Sequence, residues 1–404
     1  MRILCVANEI PLPANSGGRV DVWRRFQALR AAGHQLSLLC WFDAGRTDAP
    51  SPAELAELAE KCDGLVVLPI TRSVGELARR ALHLWRWPSH VAARWVTSRR
   101  AGLEGWAKSL APDLVLLDGL YGGAVAIDLA RGLGKPMVYR SHNIEHRYMV
   151  QQGRCERRVV RRFGLAVNSI GLERFERMVI GCAKRVMDIS PDDAKLWRDL
   201  GFPHVLWVPT LVDPSFAEHV ARVSADKGND VLLFGNLNTP NNVEALRWFV
   251  QSVLPRLPEP ALRIAVAGSR PTPEVRALLR GDPRLTLIED PTDMATVLGT
   301  SRVVVNSMRV SSGVNLKSVE MVFSNAALVS TSHGVSGMPP SARSCFVVAD
   351  TPAEFAAATM HALAGAKPDV EARDAARRAF STSVLLATIA EFEPQHRRIE
   401  EGAL

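Results

Sequence analysis

At 404 residues, 47% of them hydrophobic and 23% charged, the chain reads as a soluble globular protein too long for one ordinary core, which excludes disordered and fibrous classes. The net charge of +7 belongs to the first half: 30 Lys and Arg stand against 21 Asp and Glu over residues 1–212, and 19 against 21 over residues 213–404. Such an asymmetry suits a domain that meets an anionic surface or substrate. The six cysteines are dispersed with no C-x-x-C pair, which argues against a disulfide framework or a cysteine zinc cage and for a reducing cytoplasm.

Taken in chain order, the first apolar run, Ile3 to Ala7, is too short for a signal-peptide core, and it reads as a strand, Arg2 to Ala7. Further strands are predicted at 34–40, 64–68, 114–117, 136–139 and 185–189, with helices at 18–32, 98–110 and 163–182 between them. The pattern restarts in the second half with strands at 230–234, 263–267, 285–288, 303–304, 327–330 and 345–348. Alternation of this kind argues βαβ units and parallel sheets. The expected organisation is an N-terminal domain over 1–212, a C-terminal domain over 213–385, and a helical segment over 386–404 that could pack back on the first domain. In doubly wound domains ligands bind beyond the carboxyl ends of strands, so the motifs are expected there, in a cleft between the two.

After the first strand, Asn15-Ser16-Gly17-Gly18-Arg19 opens a helix, and paired glycines at a helix start let backbone N–H groups approach an anion. Two arginine-rich stretches follow: Arg79 to Arg100, where tryptophans are interleaved, and Arg154 to Arg162. They fit either an interfacial patch on anionic lipid or solvated arginines beside core tryptophans. Residues 142–146, His-Asn-Ile-Glu-His, spell an inverted zinc-protease pattern, but helical periodicity begins no earlier than Ile144 and leaves His142 outside it. A positioned imidazole beside Asn143 suits hydrogen bonding to a substrate instead.

In the second half, Gly235 and Asn236 follow a buried strand and precede a helix, and either a ligand loop or an ordinary βα turn fits them. The run Arg309-Val-Ser-Ser312-Gly313-Val314-Asn315-Leu316-Lys317-Ser-Val-Glu320 is the most informative. Gly313 permits close backbone approach, Arg309 and Lys317 can neutralise a diphosphate, and Glu320 can accept hydrogen bonds from a pair of sugar hydroxyls. The chain contains no D-x-D, the usual carboxylate clamp for a metal on a diphosphate.

With those residues in view, the chain resembles the family 4 glycosyltransferases over nearly its whole length, through Gly17-Gly18, RSHNIE, FGNLNTPNN and RVSSGVNLKSVEMVFSNAALVST in that order. The resemblance implies a GT-B fold, two Rossmann-like domains facing each other across a cleft. It also implies retaining, metal-independent transfer of a hexose-type sugar from a UDP- or GDP-linked donor to a glycan or lipid-linked acceptor. No cofactor and no nucleic-acid partner is expected, and the protein would work in the cytoplasm, at the inner face of a membrane. Position by position, His142 would contact the transferred sugar. Gly17, Gly18, Gly235, Asn236, Arg309, Ser312, Gly313, Val314, Asn315, Leu316, Lys317 and Glu320 would bind the donor. Arg19, Asn143 and Glu145 would face the acceptor, and no residue is expected to bind metal. The family's first motif glutamate falls on Ser312, and Met321, Asn325 and Ala327 also depart from its pattern. Those departures keep open a non-catalytic nucleotide- or glycan-binding protein; a nucleotide-sugar epimerase, which can share this fold, is another alternative, with a zinc hydrolase built on His142, Glu145 and His146 as a remote one.

Overall fold

Among the described residues, hydrophobic runs bounded by turn residues become thirteen short strands, and within each sheet a crossover returns the chain in the same direction from one strand to the next. The computed structural model describes residues 1–14, 16–45, 49–156, 158–223, 228–310, 313–365 and 369–393. Ser312, among the donor candidates, lies outside the described residues. So does most of the expected 386–404 segment.

The chain forms two units, one comprising Met1–Ala14, Gly18–Pro209 and the residues from Thr382 on, the other Asn15–Gly17 and Thr210–Ser381. In the first, β1 (Arg2–Ala7), β2 (Gln35–Asp43), β3 (Gly64–Ile70), β4 (Leu114–Asp118), β5 (Met137–Ser141), β6 (Arg185–Asp188) and β7 (Val205–Trp207) form one parallel sheet. Their order is β3-β2-β1-β4-β5-β6-β7. Because β1 lies between β2 and β4, the winding reverses there, and the loops after β1 and β4 diverge to leave a crevice. Alternate residues serve opposite faces: Leu4, Val6, Leu39, Trp41, Val115 and Leu117 join one core with the helices Gly123–Leu133 and Leu172–Cys182.

The second unit repeats the plan with β8 (Asn229–Phe234), β9 (Ile264–Gly268), β10 (Leu285–Glu289), β11 (Ser301–Asn306), β12 (Ala327–Ser330) and β13 (Val347–Val348), ordered β10-β9-β8-β11-β12-β13 and all parallel. Val231, Leu233, Val303 and Val305 pack on one face, Leu232, Phe234 and Val304 on the other. Winding reverses between β8 and β11. Burial on both faces is why these strands read as continuous apolar runs.

One expected helix is two. Residues 163–182 divide into Val159–Ser169 and Leu172–Cys182, separated at Gly171, which takes a left-handed conformation with φ +72°. The helical segment near the C-terminus, Ser383–Ala390, buries Leu385, Thr388 and Ile389, and just beyond it Glu391 pairs with Arg185 at 2.9 Å.

Candidate functional site

In the first unit the residues of interest cluster at the carboxyl ends of β1, β4 and β5. Register places Ala7 beside Asp118 and Asp118 beside Arg140, so the last positions of three strands form a row. The helix Gly17–Ala31 adds Asp21 and Arg25, four residues apart on its buried side. Arg25 holds Asp21 at 2.8 Å and Asp118 at 2.5 Å, and Arg140 reaches Asp21 at 3.2 Å. All four side chains are buried. Burial alone would raise the Asp118 carboxyl, but Arg25 and then His142 outweigh it and hold the group below its ordinary value. The two carboxylates balance the two guanidiniums, and buried charges persist only with such pairing.

His142, directly after β5, sits on this cluster. Its Nε2 lies 2.9 Å from Asp118 Oδ1 and 3.5 Å from Asp21 Oδ2, and its side chain is 18% exposed. The loop beneath is fixed by Asn8, whose side-chain oxygen accepts from the Gly122 N–H at 3.2 Å. At Gly119, with φ +85°, a Cβ would stand 2.1 Å from the Asn8 amide nitrogen, so a larger residue there would strain the backbone and displace the Asn8 side chain.

The acceptor-side candidates have local partners. Arg19 donates to Glu9 at 3.1 and 3.2 Å. Asn143 is half-buried, whereas Glu145 is buried and accepts a hydrogen bond from the Tyr121 hydroxyl at 2.8 Å. Burial, reinforced by Glu176, pushes the Glu145 carboxyl up. Gly17 and Gly18 are exposed at the start of their helix.

The zinc pattern is dispersed. His146 Nδ1 hydrogen-bonds the Glu176 carboxylate at 2.5 Å, and Glu176 also accepts from the backbone N–H groups of Glu145 and His146. That carboxylate caps the helix Glu145–Cys155 from outside it. His142 faces Asp118 instead. Among the described residues no group of three or more His, Cys, Asp or Glu side chains could hold a metal ion.

In the second unit the candidates follow β8 and β11. Gly235 and Asn236 form a loop closed by Asn242, whose amide donates to the Asn236 carbonyl at 3.0 Å. This loop presses on β9: a Cβ at Gly268 would lie 1.8 Å from the Gly235 carbonyl oxygen. Lys317, in the first turn of the helix Leu316–Phe323, donates to the Asn242 side chain at 3.1 Å. No carboxylate among the described residues compensates it, and burial pushes its ammonium down to about 8. Asn315 is the N-cap and offers no side-chain hydrogen bond to the first turn, and Gly313 has φ +63°. Val314, Asn315, Leu316 and Glu320 are half-buried around that turn.

Arg309 stands apart from Lys317 in its bonding. Its guanidinium lies 5.0 Å over the Trp248 ring and donates to the Asp350 carbonyl at 3.3 Å. Behind the helix start is a buried polar network that no sequence motif marks. Asn306 donates to Ser318 at 2.8 Å, Ser318 to the Gly334 carbonyl at 2.7 Å, and a Cβ at Gly334 would fall 2.2 Å from the Ser330 hydroxyl.

Comparison with known proteins follows this geometry. Residues 16–216 match the family described as Glycosyltransferase Family 4. The chain is similar to an uncharacterized 44.6 kDa protein in the cps region of Klebsiella pneumoniae, 23% identical over 365 residues, 88% of this chain and 89% of that one. Among solved structures, HepE of Anabaena in complex with UDP superposes with a TM-score of 0.63 at 13% identity, over 97% of this chain and 99% of that one. Sucrose-phosphate synthase of Thermosynechococcus elongatus superposes with a TM-score of 0.65 at 14% identity over 100% of both chains.

Proposed function

Because the chain belongs to glycosyltransferase family 4 and has the GT-B fold, we propose that it moves a hexose-type sugar from a nucleotide diphosphate donor to a hydroxyl of a glycan or lipid-linked acceptor, with retention and without a metal ion. The observation that carries this reading is Lys317: a half-buried cation at an open helix start, with no carboxylate among the described residues to compensate it, is a costly arrangement unless an anion completes it. A diphosphate supplies that anion. Glu320, one turn along, would take the ribose hydroxyls, and the Gly235–Asn236 and Gly313–Leu316 loops would line the donor. UDP is the favoured nucleotide, since HepE was solved with it.

In the reaction the bond from the anomeric carbon to the diphosphate breaks, the acceptor oxygen bonds to the same face, and its proton passes to the departing phosphate. The protein then acts by electrostatics, with Lys317 and the helix N–H groups stabilising the leaving dianion. His142, steadied by Asp118, would hold a hydroxyl of the transferred sugar. Arg19, Asn143 and Glu145 border the acceptor in this reading. Synthesis of a polysaccharide suits the similarity to a protein of a cps region.

A thermal-shift panel of UDP, GDP, ADP and their sugars tests the donor assignment, since a ligand that binds only the folded state raises Tm. One nucleotide should stabilise wild type and fail on Lys317→Ala and Glu320→Ala. Shifts that persist in both variants would overturn it.

A further inference from the structure

The helix Val74–His83 is built the wrong way round for a surface helix. Arg79 turns inward and donates to the carbonyls of Trp95 at 3.0 Å and Ala92 at 2.6 Å, and both Arg79 and Arg80 bond Glu76. The ionic side therefore faces the protein. Val74, Leu77 and, after one more turn, Leu82 and Trp85 face water, Leu82 at 75% and Trp85 at 79% exposure.

A second helix, Val159–Ser169, exposes Val159, Val160 at 84% and Phe163 at 70%, and buries no residue fully. Here exposed arginines 158, 161 and 162 alternate with the apolar side chains. Glu156 lies 4.0 Å from Arg161. Both helices pack against the short helix Ser89–Arg94, so they flank one region of the first unit. Exposed Val, Leu, Phe and Trp in such number mark a binding surface, because water solvates them poorly.

We propose that this region docks the protein on an anionic lipid bilayer, with Trp85, Leu82, Val160 and Phe163 entering the headgroup boundary and the arginines between them meeting lipid phosphates. A bilayer satisfies interleaved apolar and cationic side chains together, which a purely apolar or purely acidic partner does not. None of these residues belongs to the sugar-transfer site, so docking stands or falls independently of the donor. If the acceptor is lipid-linked, docking brings it within reach.

The test is cosedimentation of the full-length protein with phosphatidylcholine vesicles, with and without phosphatidylglycerol, at low and high salt. Binding to the mixed vesicles alone, weakening as salt rises, is expected. Val160→Asp with Phe163→Asp should abolish it without lowering Tm, since both side chains are exposed in the wild type. Gln at positions 158, 161 and 162 should weaken it roughly 100-fold, at about 5-fold per arginine. Equal binding to neutral vesicles, or none at low salt, overturns the proposal. So does light scattering that shows a dimer which the Asp pair dissolves, because the surface then meets a second copy of the chain.

Discussion

His142 lies 2.9 Å from Asp118, a carboxylate itself gripped by Arg25, so the orientation of one imidazole depends on a chain of buried charges reaching into the helix Gly17–Ala31. Removing the imidazole should lower kcat by about 10²–10³-fold. Asp118→Asn should lower it in the same step, and the two losses should not add, because both variants remove one interaction. Donor-induced thermal shifts should survive in His142→Ala. Steady-state kinetics on the two single variants and the double variant measure this.

Asp118→Asn also leaves Arg25 under-compensated in a buried place, at a cost of about 3 kcal/mol in stability. His142→Ala, which removes no buried charge partner, should cost much less. Urea denaturation of both variants separates the structural part of the phenotype from the catalytic part.

Lys317 gives a pH signature. Burial holds its ammonium near 8, and a diphosphate binds the protonated form, so donor affinity should be flat below that value and fall above it. The fall should be about tenfold per pH unit until the value for the complex is passed. Lys317→Arg, which keeps its charge, should flatten the profile, and Lys317→Gln should weaken binding at every pH. Nucleotide titrations from pH 6 to 10 read the difference.

Asp188 is buried, and desolvation followed by the nearby Asp193 pushes its carboxyl up to about 8. The folded state thus keeps a proton that the unfolded state releases near pH 4, so stability is fully present below that pH and is lost as pH rises toward 8. The slope across this window should approach about 1.4 kcal/mol per unit. Asp188→Asn should remove it and raise Tm at pH 8, as melting curves across the window would show.

Gly268→Ala forces a methyl into the Gly235 carbonyl. It should destabilise the protein by about 2 kcal/mol or more and displace the loop that positions Asn242. The nucleotide shift would then shrink even at temperatures where the variant remains folded. Calorimetry with and without nucleotide distinguishes the two effects.

Much of this was legible in the sequence. Strands β1, β4 and β8 to β12 lie within two or three residues of their predicted bounds, because strands buried on both faces leave long apolar runs between turn residues. Gly313, Asn315 and Lys317 could be grouped as candidates from the sequence because one loop and one helical turn carry them all. The charge cluster beneath His142 was not. Asp21, Arg25, Asp118 and Arg140 come from three elements, the widest pair, Asp21 and Arg140, standing 119 residues apart, and only the sheet order joins them. The faint signals were an Asp and an Arg four apart on one helix, and charged residues closing otherwise apolar strands. The stacking of Arg309 on Trp248 was not legible, because that ring comes from another helix. The arginines at 79 and 80 look outward by composition, yet backbone carbonyls at the end of the next helix draw Arg79 in, and Arg80 turns back to the Thr71 carbonyl ahead of its own helix.

The return of the chain to its first unit after Ser381 bears on how the protein is made. A ribosome releases the second unit complete before it has supplied Leu385 and Ile389, which fill their places in the first. Until then the earlier half waits with an unfilled apolar seat. Final assembly of that half is therefore a late event, and a premature stop near residue 381 would damage a portion of the molecule translated well before it.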